Sequence, residues 1–234
     1  PFNDSTTAKE ILERHKAELA AVIVEPLMGG AGFIQADKEY LSTLRQVTTE
    51  NDIVLIFDEV CGLRAGPGAG QGLFNVYPDM TALGKSVGGG LPLGAFGGKR
   101  EIMDLYKSSE VRRHVGHSGS FNGNPLSMTS GAVTFEQLTP ETYDRLDELT
   151  EYLRLGISSI CGEFGIPVQV TGLGSLFAIH FNDKPVKNAR DASTDDQHLR
   201  QQVFLGLMNR GIWSSPSLLG ALSTSISMSE IESY

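Results

Sequence analysis

Two charged residues at the ends of apolar runs are the first candidates for chemistry. Val54-Leu55-Ile56-Phe57 leads into Asp58, Glu59 and Val60, and Thr81-Ala82-Leu83-Gly84 leads into Lys85, Ser86, Val87 and three glycines. Each run reads as a buried strand that delivers one charged side chain at its C-terminal end. Open α/β sheets bind their ligands at that end. Glycines beside Lys85 let a ligand or the main chain approach closely. A lysine desolvated in such a setting is a nucleophile suited to Schiff-base chemistry. The alternative is an ordinary solvated lysine, the commoner fate of that side chain.

Asp58 adds a second requirement. An aspartate behind four apolar residues is costly to bury without a partner. A helix N-terminus or an arginine such as Arg64 would serve. So would the protonated pyridine nitrogen of pyridoxal phosphate, which acts as an electron sink only while that nitrogen keeps its charge. The same residues permit a nucleotide-binding reading, since Gly84-Lys85-Ser86 is the tail of a Walker A loop and Val54 to Glu59 resembles a Walker B strand. The full loop needs a glycine five residues before Gly84, where Asp79 stands. Gly88-Gly89-Gly90-Leu91-Pro92 follows in place of a helix, and the two strands come in the reverse of the usual order.

The elements that must position Asp58 and Lys85 follow from periodicity. Residues 5–19 read as a helix with Ile11, Leu12 and Leu19 inward. Residues 20–24 read as a strand closed by Glu25-Pro26. Asp37 can cap a helix to Glu50 with Tyr40, Leu41, Leu44 and Val47 as its stripe. Strands are expected at 53–57, 80–83 and 93–96, a glycine-rich loop at 64–72 and a short helix at 99–106. Continuous apolar runs indicate a mostly parallel sheet covered on both faces. Pro125 opens one helix, and Thr139 caps a longer one reaching Phe164. Residues 168–170 and 175–181 read as strands, 184–196 as a polar loop, 197–210 as a helix with Leu199, Val203, Leu207 and Met208 inward, and 229–234 as the start of another. The expected fold class is α/β, a three-layer mostly parallel sheet, with a smaller α+β unit after it. The expected division is 1–138, a linking helix at 139–164, and 165–234.

Composition bounds the rest. The 234 residues carry a net charge of −9 and no basic run, which argues against nucleic-acid binding. No run approaches the length of a membrane span. The first residues lack signal-peptide character. They also lack an initiator methionine, so a fragment or processed product is expected. Asn3-Asp4-Ser5 fits a glycosylation sequon by chance in such a setting. Cys61 and Cys161 stand far apart, and a reduced, cytoplasmic location is the simple reading. His114 and His117 lack a third metal ligand and read as loop residues. Cys61 reads as a small buried residue, Phe204 and Trp213 as core, and Arg64 and Arg210 as surface residues that could otherwise bind a carboxylate.

Five segments in order carry a family resemblance: Ala20 to Pro26, Leu55 to Val60, Pro78 to Lys85, Gly88 to Gly98, and Ser120-Phe121-Asn122-Gly123-Asn124-Pro125. The chain resembles the class III, fold type I aminotransferases, on the side of glutamate-1-semialdehyde 2,1-aminomutase, from about Pro1 to Ser227. The resemblance implies a pyridoxal 5'-phosphate enzyme that transfers an amino group of an amino acid or amino-ketone. It implies a homodimer with shared active sites. By matched position, Lys85 would carry the cofactor as a Schiff base and move a proton. Asp58 would hold the pyridinium, and Val60 would pack on the ring. Ser120, where the family usually has threonine, would bind the phosphate of the neighbouring subunit's cofactor. Glu25 would sit beside the site.

Two departures stand against that pattern. Cys61-Gly62-Leu63-Arg64 is one residue shorter than usual, so its turn is expected to differ. The family's first third, with its phosphate loop, stacking aromatic ring and most substrate contacts, has no counterpart. A truncated, catalytically impaired relative is therefore the second expectation.

Overall fold

The computed structural model describes residues 1–107 and 115–234, so His114 lies outside the described residues. Helix α1 (Ser5–His15) precedes strand β1 (Ala21–Val24), the short antiparallel pair β2 (Leu27–Met28) and β3 (Ile34–Gln35), and helix α2 (Lys38–Glu50). Strand β4 (Val54–Asp58), helix α3 (Ala69–Phe74), strand β5 (Met80–Leu83) and strand β6 (Ala95–Gly98) follow. The four-stranded sheet runs β1-β4-β5-β6. β1 pairs with β4 and β4 with β5 in parallel, while β6 returns antiparallel to β5. The sheet is thus mostly parallel, as the apolar runs require.

Burial along β4 alternates instead of running continuously. Leu55 and Phe57 are fully buried beneath α1 and α2, in one cluster with Leu12, Val24, Leu41, Leu44 and Val47. Ile23 of β1, pointing the other way, is 65% exposed. α1 stops at His15, four residues short of the expected end, and its Ile11 is exposed. Asp37 stands at the N-terminus of α2 but makes no cap bond; its own N–H donates to Asn3 Oδ1 at 2.7 Å.

Helices α4 (Arg100–Met103) and α5 (Pro125–Gln137) lead to the 24-residue α6 (Pro140–Glu163). Asn124 caps α5 and Thr139 caps α6 through their side chains. Beyond α6 lies an antiparallel sheet of β7 (Gln169–Thr171), β8 (Leu176–His180) and β9 (Leu219–Ala221), with β8 central. Helices α7 (Ala189–Ala192), α8 (Gln197–Asn209) and α9 (Met228–Ser233) complete the chain. α7, capped by Asn188, occupies part of the expected loop. Phe177, Ile179 and Phe181 pack on Leu146, Leu149 and Leu153 of α6. Leu176 and Ala178, on the opposite face of β8, pack on Leu27, Phe33, Cys61 and Ala65.

Phe204 packs against this interior, but Trp213 is 84% exposed and Met208 is also exposed. Trp213 follows the turn that ends α8, and nothing among the described residues folds over it.

One buried carboxylate sets how β4 meets β5. Asp79, just before β5, accepts the Leu55 N–H at 2.7 Å and pairs with Arg45 at 3.0 Å and Lys99 at 2.7 Å. Burial would raise its pKa, but the bonds from Lys99, the Leu55 amide and Arg45 outweigh that and bring it to about 2. Because the folded value lies below the unfolded one, the stabilisation is complete above pH ~4 and is lost as pH falls toward about 2. Asp79→Asn should therefore cost roughly 2 kcal/mol at neutral pH. In urea titrations the gap between parent and variant should close as the solution is acidified.

Candidate active site

Asp58 closes β4 and lies opposite Ala82 of β5, and the Glu59 N–H donates to the Ala82 carbonyl at 2.9 Å. β5 ends one residue later at Leu83, followed by Gly84 and Lys85. The acid and the amine therefore leave the C-terminal ends of neighbouring parallel strands. Asp58 is half-buried, and its Oδ1 accepts the Val60 N–H at 3.0 Å. Among the described residues Asp58 makes no ion pair. Val60 and Gly84 form the floor between the two groups: a Cβ on Gly84 would stand 3.3 Å from both Val60 methyls. Lys85 opens a 3-10 turn (Lys85–Gly88) with φ of 51°, a left-handed conformation uncommon for a side-chain-bearing residue.

Lys85 is exposed, not desolvated as the glycine-rich surroundings predict. Its strand end opens onto solvent in this chain, and its Nζ rests 2.5 Å from Cys61 Sγ. Cys61 is buried and free. A Cβ on Gly29 would come within 2.4 Å of the Cys61 sulfur, so the turn after β1 packs directly on it. Glu25, half-buried beside that turn, accepts the Gly29 N–H at 2.9 Å. Glu25, Gly29, Cys61 and Lys85 thus form one continuous line across the ends of β1, β4 and β5.

Arg64 does not reach Asp58, and it is not a surface residue. Its Nη2 donates to the Leu222 carbonyl at 2.7 Å and its Nε to Ser175 Oγ at 3.3 Å. Burial pulls the Arg64 guanidinium below its ordinary value. The Tyr143 hydroxyl donates to the Leu63 carbonyl at 3.0 Å, and a Cβ on Gly174 would strike the backbone of Ala65. The short turn Cys61-Gly62-Leu63-Arg64 is a 3-10 turn sewn to α6 and the C-terminal sheet. Arg210, by contrast, bonds among the described residues only its own helix, at the Gly206 carbonyl.

Sequence reasoning missed Glu59. It is fully buried, and its two oxygens accept the N–H groups of Gly70 at 3.0 Å and Gln71 at 2.7 Å, in the first turn of α3. Burial raises its pKa, and these bonds oppose the rise. A carboxylate at a helix N-terminus also meets the positive end of the helix dipole. This is why a segment of glycines and a proline, expected to be loop, holds a helix. His180 reads in the sequence only as a strand residue alternating with apolar neighbours. It is buried, shares hydrogen bonds with Asp195 at 2.9 Å and Thr171 at 3.1 Å, and presses on Gly32 of the β2–β3 turn.

Ser120 lies in an exposed turn, and no contact among the described residues joins it to Asp58 or Lys85. Its neighbour Phe121 lines an apolar depression of about 620 Å³ with Val87, Leu93, Met128 and Phe135. His117 is exposed, stacks edge-on with Phe96 and bonds Asn122 at 3.2 Å.

Residues 3–222 match the family described as Aminotransferase class-III. The chain belongs to the class-III aminotransferase family. It is 41% identical over 217 residues to a glutamate-1-semialdehyde 2,1-aminomutase of Limosilactobacillus reuteri, covering 92% of this chain and 50% of that protein. An omega-transaminase from Sphaerobacter thermophilus superposes with a TM-score of 0.95 at 40% identity, over 99% of this chain and 53% of the other. A solved transaminase with PLP bound superposes with a TM-score of 0.90 at 34% identity, over 99% and 54%. The chain spans about half the length of the curated relatives it matches.

Replacing Glu59 tests the scaffold apart from the chemistry. Glu59→Gln can satisfy only one of the two α3 amides well and turns an NH₂ toward the other. It should cost about 1–3 kcal/mol, read as a lowered thermal midpoint.

Proposed function

We propose that this chain provides the lysine and the ring-nitrogen carboxylate of a pyridoxal-phosphate enzyme that transfers an amino group. One observation carries the reading: Asp58 and Lys85 leave the C-terminal ends of adjacent parallel strands, with Val60 packed on Gly84 beside them. The residues fit the group. Lys85 offers an exposed primary amine, Asp58 a carboxylate with no ion-pair partner among the described residues, and Gly84 lets Val60 pack directly against the main chain before Lys85.

Pyridoxal phosphate, when bound, supplies an electron sink for a carbanion beside the substrate nitrogen. Lys85 Nζ would hold the cofactor, and its amine would serve as the proton donor and acceptor at the substrate carbon. Asp58 keeps the ring nitrogen protonated, because an adjacent negative charge favours the charged form of a base. Val60 supports the ring from one side. Glu25 fixes the Gly29 turn against Cys61 and so borders the amine.

The substrate class is an amino acid or amino-ketone. The working form is a homodimer in which Ser120 contacts the phosphate of the neighbouring subunit's cofactor. Exposed Phe121, Leu126 and Met128 beside Ser120 support that surface. In the same reading residues 1–138 carry the cofactor, 139–164 link, and 165–234 form the small unit. A cytoplasmic location accords with two free cysteines; among the described residues no helix is long and apolar enough to cross a membrane. The Asp58–Lys85 arrangement disfavours a catalytically impaired relative.

Titration with pyridoxal phosphate should raise a long-wavelength absorbance, and borohydride should then fix the cofactor on the Lys85 peptide. Lys85→Ala should lose both the label and at least ~10²-fold in amino transfer. Asp58→Asn should keep the label and lose transfer by a similar factor. Label on another lysine, or an unchanged Lys85→Ala variant, would defeat the reading. A requirement for a second keto acid separates aminotransferase from 2,1-aminomutase.

A further inference from the structure

Cys61 is the buried nucleophile that the proposed transfer leaves unused, and its sulfur touches the amine that the transfer needs. The separation of 2.5 Å between Lys85 Nζ and Cys61 Sγ lies inside the van der Waals contact of nitrogen and sulfur. Both partners are fixed. Cys61 begins the turn that Arg64 and Tyr143 tie to the rest of the fold. Lys85 sits in a turn closed by the Val87 N–H on Gly84 O and the Gly89 N–H on Ser86 O. On its far side the sulfur meets Gly29, where even a methyl group would stand at 2.4 Å. Lys85, on which the sulfur rests, is exposed. The other cysteine, Cys161, packs in a different cluster, against α8 and the C-terminal sheet.

We propose that Cys61 and Lys85 form a redox-responsive pair, in which oxidation by a hydroperoxide is captured by the lysine as a reversible sulfur–nitrogen cross-link. In the first step the Cys61 thiol takes one oxygen from hydrogen peroxide. The O–O bond breaks, the thiol becomes a sulfenic acid, and one water leaves; sulfur is oxidised by two electrons and the peroxide is reduced. In the second step Lys85 Nζ attacks that sulfur, the S–O bond breaks, and the hydroxyl leaves as a second water with a proton from nitrogen. The product is a sulfenamide. Sulfenic acids condense in this way with nearby nitrogen. Two equivalents of a small thiol return the Cys61 thiol and the Lys85 amine and leave as their own disulfide. The cross-link occupies the nitrogen that would hold pyridoxal phosphate. The consequence for the cofactor rests on the proposed function, whereas the cross-link itself does not.

The test treats the purified chain, free of added cofactor, with hydrogen peroxide and maps its peptides. The expected product joins the Cys61 and Lys85 peptides at their summed mass less two hydrogens. It should vanish after dithiothreitol and be absent from Cys61→Ser, with Cys61→Ala as a second variant should the first fail to fold. Recovery of Cys61 as free thiol, or as sulfinic or sulfonic acid beside an unmodified Lys85, would overturn the proposal. In a second arm, oxidation should abolish borohydride fixation of pyridoxal phosphate on Lys85, and dithiothreitol should restore it; Cys61→Ser should label equally before and after peroxide. If the reduced protein takes no label at all, the cofactor reading fails, and the cross-link mass still decides this one.

Discussion

A slip of one residue between β4 and β5 would turn Asp58 to the opposite face of the sheet, because side chains alternate along a strand. The register is therefore the constraint on which the site depends. Asp79 holds it. The Asp79 N–H donates to the Leu55 carbonyl and its carboxylate accepts the Leu55 N–H, with Arg45 and Lys99 balancing the charge. With the strands locked at their N-terminal ends, the lengths of β4 and β5 determine where Asp58 and Lys85 emerge. The unbroken apolar cluster beneath Leu55 and Phe57 resists any other pairing.

Beyond the strand ends the backbone leaves the sheet, and other contacts must hold it. Glu59 ties the turn to α3, while Arg64, Ser175 and Tyr143 tie it to the C-terminal sheet and α6. β8 is buried on both faces because it lies between α6 and the segments that border the site. His180 works at the same junction by seating the β2–β3 turn, with Gly32 leaving the room its ring requires. The residues nearest the candidate chemistry are thus positioned in part by segments 80 to 158 residues away.

Much of this was legible. The parallel strands, the position of Asp58 and Lys85 at their ends, the helix start at Pro125, the cap at Thr139 and the family all follow from local pattern. Several readings went astray for a shared reason. Residues 64–72 look like loop by composition, yet a helix forms there because a buried carboxylate eleven residues before Gly70 accepts its amide. Trp213 looks like core by type but lies outside it. Arg64 looks like a surface residue but is a half-buried tether. Local pattern records what a residue prefers, not which distant group meets it.

By itself the sequence determined the elements and the chemical types at the strand ends, because periodicity, strand length and residue type are local properties of the chain. Only the tertiary structure decided that Lys85 stands exposed with its amine on Cys61, that Glu59 and not Asp58 supports the neighbouring helix, and that the C-terminal sheet clamps the turn between them. Those outcomes depend on which surfaces meet across long separations, and burial and hydrogen bonding act only once the chain has brought them together.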